Sequence, residues 1–352
     1  MPDATEFMDA RRSHYVAILD DLFDPTPFIT SERLLEFICA LVRTGGLELG
    51  GIDPWYESQA FVDDVRNLSA MDLPPERFPE PEKTRQRLAL LSYCHVTEMD
   101  LPYDLLANLL RLRLGMKYHI DPFRDLYKPG SRKKGLLSPS RPPSTSQKIK
   151  RIKELSARAQ RQDVGDALAE VNDASIRNAI YHSDYVLHTD KLQILKGYRL
   201  SKKGGGYTPI VPLDELDELL TNAFAFYQAL FGLYERSRRL FTDFKNAFMP
   251  FDGYKGLMEC VFDPEDRLIG FRIYWPNGSL SYYIRTKEAC IAQNLTFERD
   301  GSINFMVGLY ASKPGTFSPL VETGAEPNYA PRPGTDIRPH WPEDLKPYKL
   351  AS

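Results

Sequence analysis

Glu82–Arg113 reads EKTRQRLALLSYCHVTEMDLPYDLLANLLRLR. Leu88, Leu90, Leu91, Cys94 and Val96 recur at near-helical spacing up to the polar break Thr97-Glu98-Met99-Asp100. Pro102 can open a second helix, which carries Leu105, Leu106, Leu109, Leu110 and Leu112. The two runs predict a helical hairpin, the local unit of a bundle. A mainly α fold is therefore expected around them.

Toward the N-terminus the same pattern holds. Thr5–Phe23 has apolar residues at helical spacing, Ser31 precedes an amphipathic run from Leu34 to Val42, and Pro54–Leu68 reads as a third helix. Residues 1–72 form an N-terminal helical region on this reading. The proline-rich Leu73–Pro81 cannot be helical.

Toward the C-terminus, residues 82–249 continue as the bundle, with a basic loop inserted at 127–146. That loop holds prolines, glycines and serines and reads as a mobile surface segment. From Arg124 to Arg161 there are twelve Lys/Arg against Asp125 and Glu154, a local net charge of +10. Gln147–Gln160 reads as a basic amphipathic helix. Arg132, Lys133, Lys134, Lys148, Lys150 and Arg151 are the candidate phosphate contacts, and a plain solvated face is the other reading.

Asp163–Val171 and Asp173–His182 read as short helices, with Asp173 as N-cap of the second. Tyr185–His188 and Leu192–Leu195 suggest a small hairpin turning at Thr189-Asp190. Lys202–Gly206 reads as a plain turn. Leu213–Phe248 reads as the longest helix, acidic at its start and basic near its end, with an aromatic-rich circumference that predicts burial on more than one side. After Pro250 the pattern changes to strands: 257–262, 268–275, 280–286, 295–299 and 303–310. Turns are expected at Pro276-Asn277-Gly278 and Asp300-Gly301. Residues 250–312 are thus expected to form a small antiparallel sheet, and 313–352 a proline-rich extended tail. The fold class expected is α+β, mainly α.

Composition excludes little. The 352 residues are 42% hydrophobic and 26% charged, and the net charge of −3 gives no global attraction to polyanions. The longest strongly apolar run, Ala223–Leu233, is broken by Gln228 and too short for a bilayer. The N-terminus lacks the pattern of a signal peptide. A cytoplasmic protein without membrane association is expected. Cys39, Cys94, Cys260 and Cys290 are far apart in sequence and lack metal-ligand spacing, so reduced thiols, no metal and no cofactor are expected.

One segment carries chemistry: Ile176-Arg177-Asn178-Ala179-Ile180-Tyr181-His182-Ser183-Asp184-Tyr185. Asn178 and His182 are four apart and share a helix face. Arg177 lies about 140° round from His182, within reach at a helix end. An imidazole can move a proton near neutral pH, and a guanidinium fork can pair with charge growing on phosphate oxygens. These residue types suit RNA cleavage without a metal. The spacing alone also arises by chance, with Arg177 in a surface ion pair and His182 capping a helix C-terminus. Asp184 could orient the imidazole, and Tyr185 and His188 are further supporting candidates. Cys94-His95 reads as structural, because adjacent helix residues diverge by about 100°.

Arg177–Tyr185 resembles the R-N-x-x-x-H form of the HEPN (higher eukaryotes and prokaryotes nucleotide-binding) superfamily. The resemblance covers the decapeptide closely and the helices from Glu82 to Phe248 loosely, as bundle context; the rest of the chain is unmatched. It implies that Arg177, Asn178 and His182 are catalytic in a metal-independent endoribonuclease leaving a 2′,3′-cyclic phosphate. It also implies RNA as partner, a homodimer with facing motifs, and a role as toxin or antiviral-defence effector with an antitoxin or defence-system partner. In one subgroup a tyrosine two residues after the histidine is modified; here that position is Asp184 and Tyr185 follows it. Some members of the superfamily only bind nucleotides or proteins, which is the alternative for this chain.

Overall fold

The computed structural model describes residues 4–29, 33–45, 53–128, 132–133, 136–137, 141–195, 210–245, 248–251, 256–274, 280–297 and 301–305. The protein is mainly α-helical with a smaller antiparallel β part. It divides into two compact units that alternate along the chain. The first is Met1–Leu22, Pro54–Leu110 and Phe123–Leu233; the second is Phe23–Asp53, Arg111–Pro122 and Tyr234–Ser352. The chain therefore threads between units, where the sequence suggested consecutive regions. The expected N-terminal helical region is divided between them.

The first unit holds α1 (Ala4–Leu19), α3 (Pro54–Ala70), α4 (Pro81–Glu98) and most of α5 (Asp100–Arg113). A short antiparallel ladder follows, β1 (Arg132–Lys133) with β2 (Leu136–Leu137), its base closed by the Lys128–Arg141 bridge. The segment expected to be a basic surface loop thus carries a two-rung ladder among its described residues. Alternate pairing of a few backbone groups suffices for such a ladder and leaves no periodicity to read. Then come α6 (Thr145–Arg158), α7 (Gln162–Glu170) and α8 (Ala174–Tyr181).

A sheet β3-β4-β5 (Tyr185–Leu187, Lys191–Ile194, Ile210–Pro212) precedes α9 (Leu213–Arg239). The hairpin expected here gains a third strand, because Leu192 of β4 pairs with Val211 as well as with Leu187. Lys202–Gly206 lies outside the described residues. Helix α4 approaches α3 and α8 closely. A single extended residue, Met99, links it to α5. Gly165 lets α7 lie on α6: a Cβ there would stand 2.9 Å from the Lys153 Cα and overlap the Ser156 hydroxyl. The core is aromatic, with Tyr15 edge-on to Phe226 and Trp55 edge-on to Phe231.

The second unit is built on the sheet order β10-β9-β8-β7-β6, all antiparallel. The strands are β6 (Phe248–Phe251), β7 (Gly256–Phe262), β8 (Leu268–Tyr274), β9 (Leu280–Arg285) and β10 (Cys290–Gln293). A separate pair is β11 (Leu295–Phe297) with β12 (Ile303–Phe305). The two-sheet arrangement, β6 and β10 differ from expectation. The helix expected to reach Phe248 instead tightens to a 3-10 turn at Leu240–Phe244 and gives way to an edge strand. Pro250 two residues on disfavours further helix before it.

Helix α2 (Arg33–Leu41) covers β8, with every residue from Leu34 to Leu41 buried except Glu36. Gly270 is required on β8, because a Cβ would stand 2.8 Å from the Ile284 Cα. Cys39, Cys94 and Cys260 are buried free thiols and Cys290 is half-buried. Ser31, the turn 276–278 and the tail from 313 lie outside the described residues. Among the described residues no helix is long and apolar enough to cross a membrane.

Candidate functional site

Helix α8 is fixed at both ends by its own sequence. The Asp173 carboxylate accepts from the backbone N–H groups of Ser175 (2.7 Å) and Ile176 (2.9 Å), the N-cap expected of it. At the other end Asp184 N–H donates to the Ala179 carbonyl (2.8 Å) and Ser183 N–H to that of Ile180 (3.1 Å). Ser183 is left-handed, φ 54°. This is a Schellman closure with His182 as the C-cap. The His182 backbone is thus set by hydrogen bonds of its neighbours.

Helix α4 holds the inner face. Tyr93 Oη accepts from Asp173 N–H at 2.7 Å, and Tyr181 Oη donates to the Cys94 carbonyl at 3.2 Å. The apolar stripe Ile176, Ala179 and Ile180 faces inward, and Arg177 on its flank is buried with them. The Arg177 Nε lies 2.6 Å from Glu98 Oε1. The Nε–H is not aimed along that line, so the contact is an ion pair rather than an aligned hydrogen bond. Glu98 Oε2 accepts from the Thr145 hydroxyl at 2.9 Å. Glu98 therefore joins α8 to the first turn of α6, directly after the basic ladder.

Phenols surround the pair. Tyr103 Oη donates to the Thr97 carbonyl (2.6 Å) and meets Tyr227 Oη (3.2 Å), and Asn172 bonds both rings. Burial pushes the Tyr227 phenol and the Cys94 thiol up to about 12, so both stay protonated at neutral pH. Cys94 is no nucleophile there, and its neighbour His95 instead packs against Phe61 in a tilted pair, centroids 4.3 Å apart.

The sequence-predicted residues separate into two faces. Asn178 and His182 are exposed together, as their spacing implied. Arg177 does not join them: it is turned inward, and no hydrogen bond or ion pair links it to His182. The expectation that reach and the helix end would bring the guanidinium to the imidazole is not met within one copy. The cause is the apolar stripe, which draws Arg177 in and leaves His182 on the opposite side. No hydrogen bond joins Asp184 to His182 either. Tyr185 is half-buried on β3, and His188 bonds Gln193 (3.1 Å).

The basic set is partly neutralised. Lys148 pairs with Asp100 and sits over the rings of Tyr103 and Phe123, leaving its side chain 12% exposed. Arg151 pairs with Asp125 (2.6 Å) and Glu154 (3.4 Å). Lys150 is exposed. Arg132 and Lys133 form β1, and Lys134 lies outside the described residues. Among the described residues no three His, Cys, Asp or Glu side chains come together as metal ligands.

Glu98 and Thr145 are the members that sequence reasoning missed. Their signal was weak: a carboxylate at a helix end and a hydroxyl beside an N-cap, far apart in the chain. No family model matches the chain, and neither a curated protein nor a solved structure matches it.

Proposed function

We propose that the chain is a metal-independent endoribonuclease of the HEPN type, acting as a homodimer on RNA. The observation that carries the reading is the joint exposure of Asn178 and His182 on a helix end whose backbone is fixed on both sides. His182 takes the proton of a ribose 2′-OH, and the 2′-oxygen bonds to the adjacent phosphorus. The P–O5′ bond breaks and the leaving oxygen takes a proton from imidazolium, giving a 2′,3′-cyclic phosphate and a 5′-hydroxyl. Asn178 orients the ribose or phosphate. Arg177 stabilises the charged phosphate oxygens. The exposed Tyr181 and Val186, which flank His182, are the surface a second copy would cover. The ladder at Arg132–Lys133 and the exposed Lys150 supply backbone contacts. A role as toxin or defence effector, with a cognate antitoxin or defence partner, follows from the same resemblance.

A second reading has one observation in its favour. Arg177 is buried against Glu98 and holds α8 to α4. A non-catalytic nucleotide- or protein-binding module needs nothing more from it. Purified protein incubated with tRNA in EDTA separates the two. Cleavage that disappears in His182→Ala and Arg177→Ala, both still folded, supports the nuclease. Folded wild type that leaves tRNA intact, as the dimer and at high enzyme, supports the binding module.

A further inference from the structure

Arg177 is enclosed, and its ion-pair partner Glu98 reaches solvent. The Arg177 side chain is 6% exposed and that of Glu98 is 41% exposed. The two Glu98 oxygens meet two different partners, Oε1 the Arg177 guanidinium as an ion pair and Oε2 the Thr145 hydroxyl as a hydrogen bond. Those partners belong to different elements, α8 and the first turn of α6. Thr145 is the first residue of α6, whose N-terminal dipole favours an anion nearby. A carboxylate with one oxygen on a guanidinium and the other on a hydroxyl at a helix N-terminus has the charge and donor pattern of a bound phosphate.

We infer that Glu98 occupies the seat of a phosphate group in the resting protein, and that a phosphodiester of an RNA strand displaces it to bridge Arg177 and Thr145. Thr145 is then a binding residue, and Glu98 is a latch that closes the site. The latch gives the buried arginine a way to meet phosphate, once the carboxylate swings to water; His182, on the opposite face of α8 in the same copy, is not part of the seat. Displacement also frees the Thr145 tether, so occupancy of the seat is coupled to how α6, and the basic ladder before it, is held. This inference rests on the assignment of Arg177 to phosphate made above.

Glu98→Gln keeps the length and the acceptor for Thr145 and removes the competing charge. Two probes read it. Inorganic phosphate should raise the Tm of Glu98→Gln and leave wild type nearly unmoved. A 2′-O-methyl oligoribonucleotide, which cannot be cleaved, should bind Glu98→Gln about tenfold tighter than wild type, the scale of one charge-assisted hydrogen bond. Adding Thr145→Val should remove most of that gain. Folded Glu98→Gln that binds neither probe better than wild type overturns the inference. A gain for inorganic phosphate alone overturns the strand assignment and leaves a small-anion site. If Glu98→Gln does not fold, Glu98→Asp, too short to bridge both donors, should shift both readouts in the same direction, and no shift there sinks the idea. The oligonucleotide is inert to cleavage, so these outcomes are independent of the tRNA assay. Tighter binding without any cleavage discards the chemistry and keeps the seat. His182-dependent cleavage without tighter binding does the reverse.

Discussion

Two buried ionic contacts, Arg177–Glu98 in the first unit and the Asp53 cluster in the second, are built in opposite senses. In the second unit the buried member is the anion. Asp53, its side chain 3% exposed, lies between Arg43 (Nη1 to Oδ1 3.1 Å) and Arg285 (Nε to Oδ2 2.9 Å). Arg43 is left-handed, φ 51°, and its carbonyl accepts from Arg285 Nη1 (2.8 Å) and Tyr283 Oη (3.2 Å). Charge, backbone conformation and the end of β9 fix one another, and no member can leave without stranding another. In the first unit the buried member is the cation, and its partner Glu98 is open to water. A carboxylate that can be re-solvated is exchangeable; one enclosed by two guanidiniums is not. The first arrangement suits a site, the second a staple.

The largest effect should come from the staple. Asp53→Asn leaves two guanidiniums facing each other without a counter-charge and should cost about 3–5 kcal/mol, read by urea unfolding. A loss below about 1 kcal/mol would break the contrast, since loss of a buried ion-pair partner is expected to exceed that. Arg177→Met comes next. It replaces the buried cation by an apolar chain of similar length, while Glu98 turns to solvent, so the cost should be only about 1–2 kcal/mol. A cost equal to that of Asp53→Asn would make the Arg177–Glu98 pair a second staple and favour the non-catalytic reading.

This contrast was only half legible in the sequence. Asp173 as N-cap, the helix start at Pro54, and the pairing of Asn178 with His182 are local, and local rules found them; Pro81, read as the end of a non-helical connector, instead opens α4 at its first position. The inward turn of Arg177 was present as a signal: Ile176, Ala179 and Ile180 define an apolar stripe with Asn178 and His182 opposite and Arg177 on its flank. The partners were not legible. Glu98, Thr145 and Asp53 meet their arginines across long stretches of chain, and no spacing rule reports such a meeting. The same blindness made the stretch 124–161 look more basic than it acts, because Asp100 and Asp166 lie outside it or on another helix and neutralise Lys148 and Lys153. Strands β6 and β10 were missed because they are short edges, defined by what β7 and β9 offer them rather than by their own alternation.

Acid should act on the first unit through α4. Burial holds the His95 imidazole below its ordinary value, and its Nε2 is buried without a hydrogen-bond partner. The folded state therefore prefers the neutral ring. Its contribution is complete above the unfolded value of about 6.5 and is lost as pH falls from there through the lower folded value. His95→Phe keeps an aromatic ring against Phe61 and removes the titration. Wild type should lose Tm as pH falls below about 6.5, where the variant's curve is flatter; parallel curves would remove His95 from the account.

The smallest effect tests whether the α8 end is held by backbone geometry rather than charge. Ser183 occupies the left-handed position of the Schellman closure, where a Cβ is unfavourable. Ser183→Gly removes that cost but adds freedom to the unfolded chain. The net should be a gain of about 0.5–1 kcal/mol, against a loss for Ser183→Val, whose branched side chain tolerates the left-handed region still less well. A gain with glycine and a loss with valine show that the bonds from Asp184 and Ser183 to the helix carbonyls set where His182 stands. If both substitutions are neutral, the closure carries no weight, and the rigidity on which a fixed imidazole depends has to come from α4 alone.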